Sequence, residues 1–240
     1  MKISDYVIDY IADLGVDKVF CVTGGGAMHL NNSLGSSKKM SGVFMLHEQG
    51  ASIAAESYAR VNEGYGCCLV TSGPGATNAI TGLVGAYIDS IPVIFISGQA
   101  KRADLVGDQK IRQFGIQEVN IISMVSSYSK YAVQIKNPED IRYELEKASF
   151  IAMDGRPGPV WIDIPLDVQN EEIDIDSLEG FDSAKEIDNP EFAGQYGKDI
   201  KVASTSTASN LTEAAKTAVE MLKVAKRPLI LVGQGLSFVF

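Results

Sequence analysis

Cysteine, histidine and tryptophan are scarce in this 240-residue chain: three, two and one respectively. Cys21, Cys67 and Cys68 lie in or beside apolar, strand-like runs, and their odd number carries no metal-ligand spacing. Adjacent Cys67 and Cys68 must point to opposite faces of a sheet. A zinc site and a disulfide are therefore excluded, and buried, reduced thiols of a cytoplasmic protein are expected. No run approaches the roughly 18 consecutive apolar residues of a membrane span. Met1-Lys2-Ile3-Ser4-Asp5 leads into an amphipathic pattern, which is not the apolar core of a signal peptide. A basic face is missing too, which speaks against nucleic acid as a partner. The net charge is −9, yet nine acidic residues and one lysine between Glu171 and Glu191 account for nearly all of it. An acidic stretch of this kind reads as a solvated linker.

What is present is apolar periodicity. Ile3, Val7, Tyr10, Ile11 and Leu14 mark one face of a helix that Gly15 ends. Strands follow at Lys18–Val22, at Gly42–Leu46, at Gly66–Val70 and at Ile91–Ile96, with helices from Ala51 to about Asn62 and from Ala76 to Tyr87. Asn137-Pro138-Glu139-Asp140 starts a further helix, which reaches about Met153 and leads to a strand at Val160–Ile164. Apolar strands alternating with helices predict an α/β fold, a parallel sheet flanked by helices. One such domain is expected over residues 1–168, followed by an acidic, polar linker over 169–206. Residues 207–240 then read as the incomplete start of a second α/β domain, with a helix over Leu211–Val224 and a strand over Arg227–Gly233.

Three segments at strand-to-helix turns carry the chemistry: Gly24-Gly25-Gly26-Ala27, Leu46-His47-Glu48-Gln49-Gly50, and Thr71-Ser72-Gly73-Pro74-Gly75-Ala76-Thr77-Asn78. A carboxylate such as Glu48, where a strand gives way to a helix, lies near free backbone N–H groups and the positive helix end. That place suits an acid holding a proton on a ligand's ring nitrogen, or a plain helix-end charge interaction. The glycine clusters are compatible with tight turning and with lining a flat ring. Neither matches G-x-G-x-x-G, and Pro74 stiffens a turn where a pyrophosphate loop needs free amides. Thr77 and Asn78 either face a ligand or cap backbone groups. His29 and His47 are weak candidates for proton transfer, His47 because a neighbour of Glu48 in an extended segment points away from it.

In this order the three segments resemble the pyrimidine-binding domain of thiamine-diphosphate enzymes, in particular the acetolactate synthase-like group, over about residues 1–168. The resemblance implies that Glu48 hydrogen-bonds N1′ of the cofactor's aminopyrimidine. It also implies that Gly24, Gly25, Gly26, Pro74, Gly75 and Asn78 line that ring. Gln117, in Phe114-Gly115-Ile116-Gln117-Glu118, matches a family glutamine that faces the reacting carbons. Ile116 departs from the family phenylalanine, Leu166 from a lysine, and Lys101 to Arg112 forms a longer segment, departures that bear on the substrate. Arg156 matches a position that contacts FAD in acetolactate synthases, although a structural arginine after a helix serves as well. In the family, Mg²⁺ and the diphosphate are held by an acidic Gly-Asp-Gly segment of a C-terminal domain, and these residues contain none. The chain is thus expected to be a truncated product of a 2-oxo acid decarboxylase and carboligase, inactive alone. Its partner would be a second copy or a diphosphate-domain subunit. The alternatives are a non-catalytic, stand-alone pyrimidine domain and a nicotinamide-dependent dehydrogenase.

Overall fold

The computed structural model describes residues 1–186, 208–231 and 233. The chain divides into two compact units, Met1–Ile187 and Asp188–Phe240. In the first unit α1 (Ile3–Asp13) leads to β1 (Lys18–Cys21), α2 (Met28–Ser36), β2 (Ser41–Phe44), α3 (Glu48–Asn62) and β3 (Gly66–Val70). Then come α4 (Pro74–Asn78), α5 (Ile80–Asp89), β4 (Val93–Gln99), α6 (Ile121–Val125) and β5 (Tyr131–Gln134). The unit closes with α7 (Ile141–Met153), β6 (Val160–Pro165), α8 (Leu166–Asn170) and a single turn, α9 (Ser183–Glu186).

The strands form one six-stranded sheet in the order β2-β1-β3-β4-β6-β5. Every pairing is parallel. This is the expected α/β architecture. Parallel strands need crossover helices, which cover both faces and explain why β3, β4 and β6 are buried at every position. Ala51, Ala55 and Ala59 of α3, with Leu83 and Ala86 of α5, pack over Cys68, Val70, Phe95 and Trp161. The Trp161 ring stacks on Phe95 with centroids 5.1 Å apart. Close packing here depends on missing side chains. A Cβ on Gly82 would sit 2.4 Å from Ser52 Oγ, and one on Gly66 would sit 2.2 Å from the Ala55 carbonyl oxygen. The small residues of α3 and α5 thus let these helices approach each other and the sheet.

Several boundaries differ from the sequence reading. β2 stops at Phe44 rather than Leu46, because its partner β1 ends at Cys21 and only the Met45 N–H still reaches the Cys21 carbonyl, at 2.9 Å. The expected helix from Ala76 to Tyr87 is two helices, α4 and α5, with a break at Ala79, whose N–H bonds back three residues to Ala76. β4 begins at Val93 because the Ile91 N–H is taken by the end of α5, at Ala86 O, 2.8 Å away. It then runs three residues past Ile96 through Ser97, Gly98 and Gln99. β5 went unpredicted. It is a half-buried edge strand whose apolar positions, Tyr131, Val133 and Ile135, alternate over too few residues to stand out.

The compact unit continues beyond residue 168. Met1 and Ile3 exchange backbone hydrogen bonds with Glu171 and Ile173, and the Phe181 ring packs on Tyr143 and Phe150. The first half of the acidic stretch therefore lies against α1 and α7, while residues 187–206 of the expected linker lie outside the described residues. In the second unit a helix, α10 (Ala208–Val224), covers the expected one. Residues 228–231, in the middle of the expected strand, take no strand conformation, and Val232 lies outside the described residues. Among the described residues no helix is long and apolar enough to cross a membrane.

Candidate functional site

The carboxyl ends of β1, β2 and β3 bring the three turn segments together. The chain leaves β1 toward β2 on one side, while β3 pairs with β1 on the other. Crevices at such reversals are where open α/β sheets bind ligands. Glu48 is the first residue of α3, and the cap of that helix is His47, whose Nδ1 accepts from the Gln49 N–H at 3.1 Å. His47 is therefore a helix cap, and His29, partly buried on α2, has its pKa lowered by burial and by Lys2. No hydrogen bond joins either histidine to Glu48 among the described residues.

Glu48 is half-buried and faces the β3 turn. Its Oε2 accepts from Asn78 Nδ2 at 3.0 Å, whereas Oε1 has no donor among the described residues. A Cβ on Gly75 would lie 3.4 Å from that free oxygen and 2.7 Å from Thr71 Cγ2, so Gly75 keeps open the space in front of it. Thr77, by contrast, turns its hydroxyl to the Pro74 carbonyl and serves the backbone. Pro74 is exposed at the start of α4.

The glycine turn after β1 sits against the same loop. The Gly26 N–H donates to Thr71 Oγ1 at 3.0 Å. Side chains at Gly24 and Gly26 would come within 2.5 Å of Thr71 Cβ and of Ser72 Oγ, while Gly25 has open space around it. Two residues that the sequence reading passed over hold this turn in place. A Cβ on Gly98 of β4 would be 2.1 Å from Gly26 O, and Gln169 Nε2, fully buried, donates to that oxygen at 2.8 Å. Nothing in the pattern Asp167-Val168-Gln169 signals such a role, since the contact spans the chain from α8 to the β1 turn.

Gln117 approaches from the loop after β4. It has a left-handed backbone, φ 56°, and its carbonyl oxygen would be 2.3 Å from a Cβ on Gly73, which itself has φ 57°. Only glycine at 73 permits this approach. Its neighbour Glu118 braces the loop, accepting from the backbone N–H groups of Val106, Phe114 and Gly115. Glu48, Gly24, Gly26, Gly75, Asn78 and Gln117 are thus brought together at this end of the sheet, where they mark the candidate crevice, with Gly25 and Pro74 exposed beside them. A half-buried carboxylate with one fixed and one free oxygen, framed by glycines, fits a flat heteroaromatic ring that presents an N–H. Among the described residues no group of histidine, cysteine or acidic side chains could hold a metal ion.

Residues 1–124 match the thiamine pyrophosphate enzyme N-terminal TPP binding domain. The chain belongs to that family. It is 36% identical over 229 residues to the acetolactate synthase large subunit of Corynebacterium glutamicum, an alignment that covers 95% of this chain and 33% of that protein. Identity to the large subunit of Haemophilus influenzae is 34% over 233 residues, 97% of this chain and 37% of the relative. The chloroplastic acetolactate synthase of Arabidopsis thaliana is 38% identical over 170 residues, 71% of this chain and 24% of the relative. The chain thus spans about a third of the length of the bacterial relatives it matches. It is an acetolactate synthase-like N-terminal domain of the thiamine pyrophosphate enzymes.

The remaining sequence candidates have structural places. Arg156 donates to Ser90 Oγ and, at 3.1 Å, to the Ile88 carbonyl, so its guanidinium closes the end of α5. The three thiols are free and buried. Burial pushes the Cys21 pKa up to about 11 and raises those of Cys67 and Cys68 further, which leaves them protonated and inert.

Proposed function

We propose that this chain contributes the pyrimidine half of a thiamine-diphosphate site in a 2-oxo acid decarboxylase and carboligase of the acetolactate synthase type. The observation that carries the reading is Glu48: Asn78 fixes one carboxylate oxygen, and the other opens onto the space kept by Gly75. When bound, thiamine diphosphate supplies the carbon that attacks the substrate carbonyl. Glu48 Oε1 would share a proton with N1′ of the aminopyrimidine, and the Asn78 amide keeps that oxygen pointed at the ring. Gly24, Gly25, Gly26 and Pro74 would line the ring, and Gln117 would stand beside the reacting carbons.

Mg²⁺ and the diphosphate would be held by a further domain, and the substrates would be a 2-oxo acid and a second carbonyl compound. Flavin has no support from Arg156, whose Nε and Nη2 donate at the end of α5. A second copy of the chain, or a subunit carrying the diphosphate domain, would complete the site. Support for such a partner comes from Phe44, Leu46, Ile53, Val61 and Ile88, exposed apolar residues on or beside β2, α3 and α5. With the family shown, the nicotinamide alternative has no observation in its favour.

The test is Glu48→Gln in the complete protein, read by deuterium exchange at the cofactor's C2 position. Glutamine keeps the size and the contact to Asn78 but cannot share the proton. Exchange should slow by about 100-fold or more, with a stability change under about 0.5 kcal/mol. Exchange at the wild-type rate would reduce Glu48 to a helix-end charge and remove the basis of the proposal.

A further inference from the structure

A cavity lies beside the candidate crevice; of the residues described there only Val106 and Glu118 line it, and none of those placed to meet the ring does. Its volume is about 820 Å³, and it opens at the carboxyl ends of β4 and β5, under the loop that joins them. Such a volume suits a ligand the size of a sugar phosphate or a nucleotide. Gln99 of β4 and Gln134 of β5 contribute to its floor. Both donate to the buried Asp163 carboxylate of β6, at 3.1 and 2.8 Å, and Ser97 donates to the other oxygen at 2.6 Å. Trp161 Nε1 in turn donates to Ser97 Oγ at 2.8 Å. The floor is a fixed polar network tied into the core.

The walls combine apolar and basic groups. Leu105, Val106, Val119 and Ile122 are apolar, while Arg102, Arg112 and Lys136 are cationic. Arg102 is committed, paired with Asp167 and Glu171. The acids around the cavity are committed as well: Glu118 holds three backbone N–H groups, and Asp163 receives its three side-chain donors. Arg112 and Lys136 have no carboxylate within 4 Å among the described residues. Asn120 uses its carbonyl oxygen to cap α6 and has no acceptor for its amide N–H groups there.

We propose that this cavity is a second small-molecule site, which takes an organic anion: a phosphate or carboxylate group met by Arg112 and Lys136, and a body that covers the apolar wall. Arg112 offers paired donors to such a group and Lys136 a point charge. The loop that roofs the cavity also presents Gln117 to the neighbouring crevice, so an occupied cavity would hold that loop still.

Calorimetric titration of the 240-residue chain with glucose 6-phosphate, AMP, 2-oxoglutarate and inorganic phosphate tests the assignment. At least one organic probe should bind with a Kd of about 1 mM or tighter, and the phosphate and carboxylate arms identify the anion class. Arg112→Gln combined with Lys136→Gln should weaken that probe by about tenfold or more. Lys101→Gln with Lys110→Gln, on the same loop but outside the cavity wall, should leave it unchanged. Slowed amide hydrogen exchange over residues 102–120 should accompany binding. The proposal is overturned if no organic probe binds at that level or if inorganic phosphate binds as tightly as the best of them. It is equally overturned if the two double variants behave alike.

Discussion

The substitution Gly98→Ala probes how the glycine turn is held, without any ligand. The new Cβ would lie 2.1 Å from Gly26 O, 2.4 Å from Gly26 C and 2.6 Å from Ala27 N, all of them backbone atoms. Ordinary contact begins near 3.4 Å, so the turn or β4 must move by more than about 1 Å. Overpacking of this kind costs about 1–3 kcal/mol. Moving Gly26 also strains its hydrogen bonds to Gln169 and Thr71, each worth about 1 kcal/mol. A loss of about 3–5 kcal/mol follows, or roughly 1–1.7 M in urea midpoint at a slope near 3 kcal/mol/M. Trp161 reports the transition directly, because it is the only tryptophan and is fully buried against Phe95. Gly25→Ala is the control, since nothing lies within 4 Å of its Cβ position, and it should stay within about 0.5 kcal/mol of wild type. If Gly98→Ala lay within about 1 kcal/mol of that control, the turn would not be clamped from β4.

Three further outcomes are expected. Burial raises the Asp163 pKa from 3.8 to about 6, so between those values the folded chain holds a proton that the unfolded chain has lost. Asp163 must therefore lower stability as pH rises from about 4 to 6, by at most about 3 kcal/mol; Asp163→Asn should lack this component, and parallel pH curves for the two proteins would contradict it. Native protein should show no fast-reacting thiol toward a disulfide reagent, because Cys21, Cys67 and Cys68 are buried and held protonated; a rapid stoichiometric phase would mean that at least one is accessible. The chain should sediment as a dimer or larger species through the apolar residues around β2, α3 and α5, and a clean monomer at high concentration would argue against a partner there.

Periodicity exposed the elements that are buried on both faces or amphipathic over several turns. α1 was legible because Ile3, Val7 and Ile11 all point to the core, and β3 because Gly66–Val70 is apolar throughout. β5 was not, since an edge strand needs only alternate buried positions and has few of them. The docking of residues 171–181 was hidden for a different reason. Charge density suggested a solvated linker, but Ile173 and Phe181 are anchored by backbone pairing to Met1 and by ring contacts to α7, neither of which leaves a local pattern.

The candidate site divides along the same line. Glu48, Gly75 and Asn78 were legible because short turns between strand and helix confine a residue's direction, so the spacing of a motif carries its geometry. Gly98, Gln169 and the left-handed Gln117 act through contacts between residues far apart in sequence, with Gln169 reaching Gly26 across 143 positions. No local pattern signals Gly98 or Gln169; Gln117 was reached through its motif, but its left-handed backbone against Gly73 was not. Of the glycines in the β1 and β3 turns, Gly24, Gly26, Gly73 and Gly75 leave no room for a Cβ, whereas Gly25 does, and Gly26 also needs the absence of a Cβ at Gly98 behind it. A reading of motifs alone finds the candidate surface. The residues that hold that surface in place become visible only once the sheet has been assembled.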